Sequence, residues 1–309
     1  MARHLPRRLA GTLITLIVVG FVTFIALDAT PGDAASALVG ESASHAQLQI
    51  LRAQMGLDQP LVARYATFLA NLVSRGDLGQ SLVNQRAVNQ LLLERLPTTL
   101  ILAFSATALA LAIGLTLGMI AAARAGSLLD TALMSGAAVS LAVPTFWSAL
   151  VLMLIFSVNL RWLPVVGASG AQHFILPTLT LALPTSAIIA RLVRASVLDV
   201  FGADYVRTAR AKGVAPRPVL TRHILRNSLI PVITMLGLHL GHLLGGAFIV
   251  ETIFGLPGLG RLIVQAIFDR DYPIVLGATL LIATMYLAIN LLVDVAHGWL
   301  DPQVAEGAV

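Results

Sequence analysis

The feature that most constrains this chain is a set of six apolar runs, each long enough for a helix that crosses a bilayer. Such a helix needs about 20 apolar residues. The chain is 57% hydrophobic and only 11% charged, whereas soluble domains carry about 25% charged residues. Packing in water cannot hide this much apolar surface, so the sequence predicts an all-α integral membrane protein with lipid as its solvent. The predicted spans are Leu9–Leu27, Pro97–Ala123, Thr131–Val158, Phe174–Val193, Leu229–Val250 and Ile274–Trp299.

One polar stretch, Arg191–Pro231, interrupts the apolar C-terminal half. It holds eight basic residues against two acidic ones, a net of +6, while the whole chain has a net of +5. Loops rich in Arg and Lys stay cytoplasmic, so six spans with both termini in the cytoplasm are predicted. The pattern indicates a short helix from Phe201 to Lys212, a turn at Gly213 and a second short helix from Val219 to Asn227. Such a loop fits either a groove of another protein or an anionic lipid surface.

The residues around Gly213 carry a family resemblance. The segment DYVRTARAKG, which ends at Gly213, resembles the cytoplasmic coupling motif of ABC importer permeases. That motif reads Glu-Ala-Ala, three residues, Gly; here Ala209 and Gly213 keep their positions, while Arg207 and Thr208 replace the Glu and the first Ala. Pro231 also lies further downstream than the motif places its proline. These departures are similar to the B-type permeases of the dipeptide, oligopeptide and nickel branch, and the similarity covers most of the chain.

This resemblance implies a type I ABC importer permease fold and a set of partners. In the family, the loop docks into a cleft of a separate ATPase subunit. The residues that it assigns to coupling are Asp204, Tyr205, Arg207, Ala209, Arg210, Lys212, Gly213 and Val214. It also implies a second, homologous permease subunit, two ATPase subunits or domains and an external substrate-binding protein. ATP and Mg²⁺ would bind to the ATPase partners, and no cofactor is expected on this chain.

The first 96 residues combine one span with the most soluble-like part of the chain. Three arginines precede the run Leu9–Leu27, as in a signal peptide, but 19 residues rise about 28 Å and no clean cleavage site follows. We therefore expect an uncleaved first helix. Thr30–Arg95 is expected outside, with amphipathic helices at Ser44–Met55 and Leu61–Ser74. The pieces PGD, GLDQPL and GDLGQS resemble phrases of the same permease branch, in which this region faces the binding protein; the alternative is a solvated cap with no partner.

The fifth span carries two patterns with more than one interpretation. Gly237, Gly241 and Gly245 recur every four residues, and small residues at this spacing let helix backbones touch. Close packing against a partner helix, for which the second permease is a candidate, is favoured over lining the pathway. His239 and His242 share one side of the helix and could line the pathway, contact a soft divalent ion or pack between helices. Two imidazoles without a third ligand are a weak metal pattern, so no metal site is predicted.

The segment ETIFGLPGLGR predicts a tight re-entrant or interfacial turn, because three glycines surround Pro257. It resembles a family segment that helps to close the external gate. Asp294 lies inside the last apolar run, where ionisable groups usually face protein or water. The candidates for the pathway or its gate are His239, His242, Glu251, Pro257, Gly258 and Asp294.

Two prolines fall in the middle of predicted spans. Proline removes a helical hydrogen bond and clashes with the preceding turn, so Pro144 and Pro184 should bend or loosen their helices. In lipid such breaks persist only where protein or a water-filled cavity satisfies the freed carbonyls. This suits a gated pathway, although proline is common in membrane helices.

The absent motifs exclude several classes of activity. The single lysine, Lys212, lies between Ala211 and Gly213 and cannot serve a phosphate-binding loop of the Gly-x4-Gly-Lys-Ser/Thr type. No HExxH or GxSxG motif is present. The basic loop has no interleaved aromatic cluster, which argues against nucleic-acid binding. The chain is therefore not expected to be an enzyme.

Together these observations predict the permease subunit of an ATP-driven importer of di- or oligopeptides in the plasma membrane. The same architecture importing nickel or other metal chelates, or glutathione, is the alternative substrate. An ion-driven secondary carrier is the alternative of another class, for which Asp294, His239 and His242 would have to form the relay. The expected organisation is 1–29 for the first helix, 30–96 for the external region, 97–300 for the permease core with its coupling loop at 191–226, and 301–309 for a cytoplasmic tail.

Overall fold

The structure is a computed structural model that describes residues 5–29, 45–54, 57–201, 204, 211–212 and 225–300. A π-helical segment, Met153–Asn159, directly follows Leu152. The α-helices are α1 (Leu5–Asp28), α2 (His45–Gln54), α3 (Leu61–Arg75), α4 (Val88–Ala123), α5 (Leu128–Ala142), α6 (Thr145–Leu152), α7 (Gln172–Phe201), α8 (Leu225–Gly246), α9 (Phe248–Ile253), α10 (Leu259–Phe268) and α11 (Tyr272–Leu300). The predicted all-α architecture is confirmed, including both amphipathic helices expected before the second span.

Two compact units make up the chain. Unit 1 comprises Met1–Thr99 and Pro257–Leu287, and unit 2 comprises Leu100–Leu256 and Ala288–Val309. Both units are therefore discontinuous in sequence, and α4 and α11 each contribute residues to both of them.

The core of unit 1 forms where the first turns of α4 meet α10 and the start of α11. Its buried residues are Val88, Leu91, Leu92, Leu259, Ala266, Ile274, Val275 and Ala278. A Cβ atom on Gly277 would lie only 2.8 Å from a methyl carbon of Val88, so α11 approaches α4 closely here. The N–H of Leu259 donates to the hydroxyl of Thr99 at 2.8 Å and fixes the start of α10.

The core of unit 2 is built around α7. More than half of the membrane-spanning window of α7 is buried (56%), compared with 6% for α1. The buried residues of this core are Ala110, Ala122, Ala182, Ile189, Val193, Val197 and Val232, which come from α4, α7 and α8. Helix α7 is thus the central helix of its unit.

Among the residues that the structure describes, four helices are long and apolar enough to cross a membrane, namely α1, α4, α7 and α11. The count becomes five if α5 and the segment Thr145–Asn159, which meet at 101°, form one bent span. The predicted fifth span, Leu229–Val250, falls on α8 and the start of α9, and the apolar part of α8, Pro231–Gly245, is shorter than the 18 residues required. These described helices establish a multi-pass membrane protein.

The two mid-span prolines differ in their effect. The predicted bend at Pro144 is confirmed, because α5 ends at Ala142 and α6 begins directly after the proline. Helix α7, in contrast, runs unbroken through Pro184. Just after that proline, the hydroxyl of Thr185 donates to the carbonyl of Leu181 at 3.1 Å. The carbonyl that Pro184 leaves without a backbone donor is that of Thr180, four residues earlier, so the Thr185 hydroxyl bonds a different carbonyl.

Candidate coupling and gate sites

Most of the predicted coupling residues lie outside the described part of the chain. Only Asp204 and Lys212 are described, and both are exposed. The residues outside it are Tyr205, Arg207, Ala209, Arg210, Gly213 and Val214. Of the predicted second short helix, Val219–Asn227, only the residues from Leu225 are described, as the start of α8. The described structure instead shows how α7, which leads into this segment, is held.

Arg194 lies two turns before the end of α7 and forms a bidentate ion pair with Asp130 in the first turn of α5. Its Nε donates to Oδ1 at 2.6 Å and its Nη2 to Oδ2 at 2.7 Å. Asp130 is only 3% exposed. Paired N–H donors match a carboxylate in both distance and direction, so the pair fixes orientation as well as charge. We call the Asp130–Arg194 pair the clamp.

The turn between α4 and α5 also holds the carboxylate of the clamp. The N–H of Gly126 donates to Oδ2 of Asp130 at 2.9 Å. Ser127 is the N-cap of α5, and its hydroxyl accepts from the N–H of Asp130 at 3.2 Å. Asp130 thus joins α7 to the turn that ends α4, and neither helix end can move far without breaking a charge-assisted hydrogen bond.

Helices α4 and α7 touch along a stripe of small residues, which we call the α4–α7 seam. A Cβ atom on Gly118 would lie 2.6 Å from the carbonyl oxygen of Ala190, and one on Gly114 would lie 2.9 Å from that of Ser186. Near the start of the contact, the hydroxyls of Ser105 and Thr178 are 2.9 Å apart. Small residues permit such backbone contact. The stripe on α4, buried throughout, consists of Ala106, Ala110, Gly114, Gly118 and Ala122.

The clamp and the α4–α7 seam together make one block from α4, the start of α5 and the C-terminal half of α7. These three elements are therefore packed together up to the end of α7. The sequence predictions treated Arg194 only as a positive charge and singled out the glycines of the fifth span. The four-residue spacing of small residues from Ala106 to Ala122 was a visible signal for the seam. Pairing Arg194 with Asp130, 64 residues away, required the fold.

The predicted tight turn after Glu251 is present in unit 2. Glu251 is fully buried in α9, and its carbonyl accepts from the N–H of Leu256 at 2.8 Å. Gly255 has a φ of +64°, which an L side chain rarely adopts. The N–H of Gly167, in the loop after α6, donates to the carbonyl of Phe254 at 3.1 Å. The loop after α6 and the turn after Glu251 are therefore joined by a backbone hydrogen bond.

The other two residues of the predicted gate segment, Pro257 and Gly258, belong to unit 1. Pro257 is half-buried, and Gly258 is buried directly before α10. The next residue, Leu259, is the one whose N–H is bonded to Thr99. The segment is thus firmly anchored, and its role in gating stays a prediction.

The glycines of α8 differ in their surroundings. A Cβ atom on Gly237 would lie 2.1 Å from Cγ2 of Val293, so α8 packs closely on α11 of the same chain at this point. Gly241 is buried and Gly245 is exposed. The helix that packs against Gly237 is thus α11 of this same chain. That a second permease packs against Gly241 and Gly245 stays a prediction.

The polar candidates of the last spans are His239, His242 and Asp294. His239 is half-buried and His242 is exposed. Within the described ranges, no group of three or more His, Cys, Asp or Glu side chains could hold a metal ion. Asp294 lies in α11, but its side chain is outside the described part. Pathway lining by these residues stays a prediction.

A buried carboxylate that the sequence predictions missed anchors the loop before α4 in unit 1. Asp271, 1% exposed, directly precedes α11. It accepts hydrogen bonds from the hydroxyl of Ser81 and from the N–H groups of Leu82 (3.1 Å) and Val83 (3.3 Å). The hydroxyl of Ser81 in turn accepts from the N–H of Asn84 at 2.8 Å. The GDLGQS phrase is therefore followed by a rigid loop fastened to the start of α11.

Comparison with known proteins places these features in a family. The family described as "Binding-protein-dependent transport system inner membrane component" matches residues 114–306. Its N-terminal companion, "Binding-prot-dependent transport system membrane comp, N-term", matches residues 1–103. The two matches together cover almost the whole chain.

Relatives and solved structures agree with this assignment. The glutathione transport system permease protein GsiC of Escherichia coli O6:H1 is 41% identical over 304 residues, which cover 98% of this chain and 99% of that protein. GsiC of Salmonella choleraesuis is 40% identical over the same length. The inward-facing MetNI methionine ABC transporter matches 69% of this chain and 97% of its own with a TM-score of 0.55 at 18% identity. An amino acid ABC transporter crystallised with histidines matches 68% of this chain and 94% of its own, with a TM-score of 0.50 at 21% identity.

The matches to solved structures show the fold. The family matches and the full-length sequence matches show the family to which the chain belongs. The anchored helix α7, the bent pair α5–α6 and the segment that follows Phe201 are parts of one transport subunit rather than of an enzyme. The chain belongs to the family of binding-protein-dependent transport system inner membrane components, as an ABC importer permease of the peptide, nickel and glutathione type.

Proposed function

We propose that this permease forms, with a second homologous permease, the pathway by which small peptides of the glutathione type cross the inner membrane. The observation that carries the substrate class is the 41% identity to a glutathione transport permease over 98% of the chain. Dipeptides and longer peptides belong to the same class of substrate, so a dipeptide is compared with glutathione in the uptake experiment. An external binding protein delivers the substrate and sets most of the selectivity.

In this proposal, two separate ATPase subunits bind ATP and Mg²⁺ and dock on the cytoplasmic segment between α7 and α8. Asp204, Tyr205, Arg207, Ala209, Arg210, Lys212, Gly213 and Val214 form the docking surface. Both termini lie on the same side as this segment. The geometry of α7 supports the arrangement, because the clamp and the α4–α7 seam attach α7 to α4 and α5 just before the docking segment begins.

Movement of the docked segment is then passed to the pathway through that block. When the ATPase pair closes, the α4–α5–α7 block moves as a rigid body, and the bend at Pro144 gives α6 a separate direction of travel. Each state must make different contacts for ATP binding to shift the equilibrium between them. Glu251, Pro257 and Gly258 contribute to the external gate, while His239, His242 and Asp294 line the pathway.

The experiment is uptake by proteoliposomes that contain this permease, its partner permease and the ATPase subunits, with the binding protein added outside. Radiolabelled glutathione, a dipeptide and a nickel chelate are compared, each with ATP inside and with a proton gradient alone. ATP-dependent uptake of glutathione or the dipeptide is expected. Uptake of the nickel chelate alone would overturn the substrate class, and uptake driven by the gradient without ATP would overturn the coupling.

A variant of Gly213 tests the docking segment within that system. Valine is strained where a glycine turn is required, so Gly213→Val should leave ATP hydrolysis intact and uncouple it from uptake, while the four chains still purify together. Gly136→Val is the matched control, because a Cβ atom on Gly136 meets nothing within 4 Å. Equal uptake per ATP hydrolysed in Gly213→Val and in the control would contradict a role of this turn in coupling.

A further inference from the structure

Helix α3 has three stripes along its length, although it is predicted to lie in the external region. One apolar stripe is turned towards the protein and consists of Leu61, Tyr65, Phe68 and Leu72. A second apolar stripe, next to the first, is largely exposed and consists of Val62, Ala66, Leu69 and Val73. The remaining, polar stripe consists of Thr67, Asn71 and Ser74. Positions three and four apart share a helix face, so these sets are three separate strips of surface.

The exposed apolar stripe is unusual for a helix in water. Val62 is 67% exposed and Val73 is 85% exposed. A helix that packs on a soluble protein buries its apolar face and presents polar residues elsewhere. Helix α3 instead leaves a second apolar strip between its buried face and its polar face. That order of surfaces is typical of helices that lie in a membrane interface.

Tyr65 attaches α3 to the membrane-spanning helix α1. Its ring lies 5.3 Å from the ring of Phe21 and 5.6 Å from that of Phe24. Its hydroxyl donates to the carbonyl of Ile17 at 2.7 Å. Gly20 makes this approach possible, because a Cβ atom there would lie 2.7 Å from the hydroxyl. Helix α3 is therefore seated on the side of α1.

The contacts with α1 also set the depth of α3. Asp28, the last residue of α1, accepts a hydrogen bond from Nη1 of Arg64 at 2.8 Å, and the guanidinium lies over Phe24 at 5.2 Å. At 1.5 Å per residue, Phe24 and Phe21 lie about 6 and 10 Å below Asp28 along α1. The ring of Tyr65 lies against those two rings, and its hydroxyl reaches further along α1, to Ile17. Interfacial helices bury their apolar face by about 5–10 Å, which is the level of the two phenylalanine rings.

We propose that α3 lies in the bilayer interface at the Asp28 end of α1, with its second apolar stripe inserted among the lipid acyl chains. The occupant is lipid because α3 is seated on α1, a helix whose length and composition suit a membrane span and whose side chains are largely exposed. Helix α1 is a membrane span with only 6% of its window buried, and its exposed side chains include Leu13, Ile14 and Val22 at 61%, 62% and 58%. The polar stripe faces water, and Arg64 reaches up to Asp28.

The chain contains no cysteine, so single-cysteine variants can be spin-labelled without altering any other position. The full chain, in nanodiscs of phosphatidylcholine and phosphatidylglycerol, is labelled at Ala66→Cys, Val73→Cys, Thr67→Cys or Asn71→Cys. Leu13→Cys on α1 is the lipid-facing reference. Collision rates with oxygen, which concentrates in lipid, and with a water-soluble nickel chelate are measured by electron paramagnetic resonance. The oxygen-to-nickel ratio at positions 66 and 73 should approach that of the reference and exceed the ratio at positions 67 and 71 by about threefold or more.

Two outcomes overturn the proposal. Equal ratios on both stripes, with high nickel collision rates, would place α3 in water. Immobilised labels with low collision rates for both reagents on the apolar stripe would show that protein covers it.

Two aspartate substitutions test the same proposal without spin labels, in case labelling perturbs the helix. Val73→Asp should lower the thermal midpoint of the chain in nanodiscs, because a carboxylate enters the acyl region, while Asn71→Asp should leave it unchanged. Equal midpoints for these two variants would also overturn the proposal.

Discussion

Replacing Gly118 by alanine tests the close approach of α4 and α7. The added methyl group would lie 2.6 Å from the carbonyl oxygen of Ala190 and 2.7 Å from Cβ of Val193, whereas ordinary contact begins at 3.4 Å. The helices must therefore separate by about 0.8 Å, because the obstructing atom belongs to the backbone and cannot rotate away. Overpacking of this kind costs about 1–3 kcal/mol. The better helix propensity of alanine returns roughly 0.5–1 kcal/mol, so we expect a net loss of about 1–2 kcal/mol.

Gly136→Ala is the matched control for that measurement. Gly136 lies in α5, and a Cβ atom there meets nothing within 4 Å. Alanine at this position should therefore only gain helix propensity. The control should be more stable than the parent by roughly 0.5–1 kcal/mol. Thermal denaturation of the chain in nanodiscs should rank Gly136→Ala above the parent and Gly118→Ala below it.

The functional consequence is measured in the proteoliposome system. Separating α4 from α7 loosens the block that is proposed to carry movement into the pathway, so Gly118→Ala should transport less substrate per ATP hydrolysed than Gly136→Ala does. If Gly118→Ala melts at or above the temperature of Gly136→Ala, the helices do not touch at this point and the reasoning fails. If it melts lower but transports normally, the contact is structural and plays no part in coupling.

Further expectations concern the other close contacts. Asp130→Arg and Arg194→Asp should each lower uptake about tenfold, and the combined charge exchange should recover part of it, since an arginine at position 130 cannot accept from the N–H of Gly126; no recovery would mean that the clamp does not act as a pair. Asp271→Ala leaves the buried hydroxyl of Ser81 and the part-buried N–H groups of Leu82 and Val83 without their acceptor. It should destabilise unit 1 by about 2–3 kcal/mol, seen as faster proteolysis of the loop before α4; an unchanged cleavage rate would contradict the anchor. Gly237→Val should cost about 1–3 kcal/mol by overpacking against Val293. Val293→Ala should restore stability to that variant in thermal denaturation, and failure to do so would mean that the strain lies elsewhere.

Local sequence patterns predicted the elements of the fold well, because lipid and helical periodicity leave few alternatives. The apolar runs located α1, α4, α7 and α11. The amphipathic pattern located α3 to within one residue at its C-terminal end. Proline gave a mixed result. Pro144 breaks its span, whereas α7 runs on through Pro184.

The candidate sites were less predictable, because they depend on which helices become neighbours. Nothing local to Asp130 indicates Arg194 as its partner, and nothing local to Asp271 indicates a loop 190 residues away in sequence. At Gly237 the helix that lies against α8 is α11 of the same chain, which the glycine spacing in α8 does not specify. Spacing identifies a surface that can be approached closely, and only the assembled fold shows which element approaches it.

The discontinuity of unit 1 has a consequence for the order in which the chain matures. Val88, Leu91 and Leu92 leave the ribosome long before α10 and the start of α11, which cover them in the finished unit. The bond from Leu259 to Thr99 closes a loop of 160 residues, and the bond from Ser81 to Asp271 closes one of 190. Contacts that distant form late, because the intervening chain must first be made and inserted. A polypeptide truncated before Pro257 would therefore expose this apolar surface permanently, which would mark it for the proteases that remove incomplete membrane proteins.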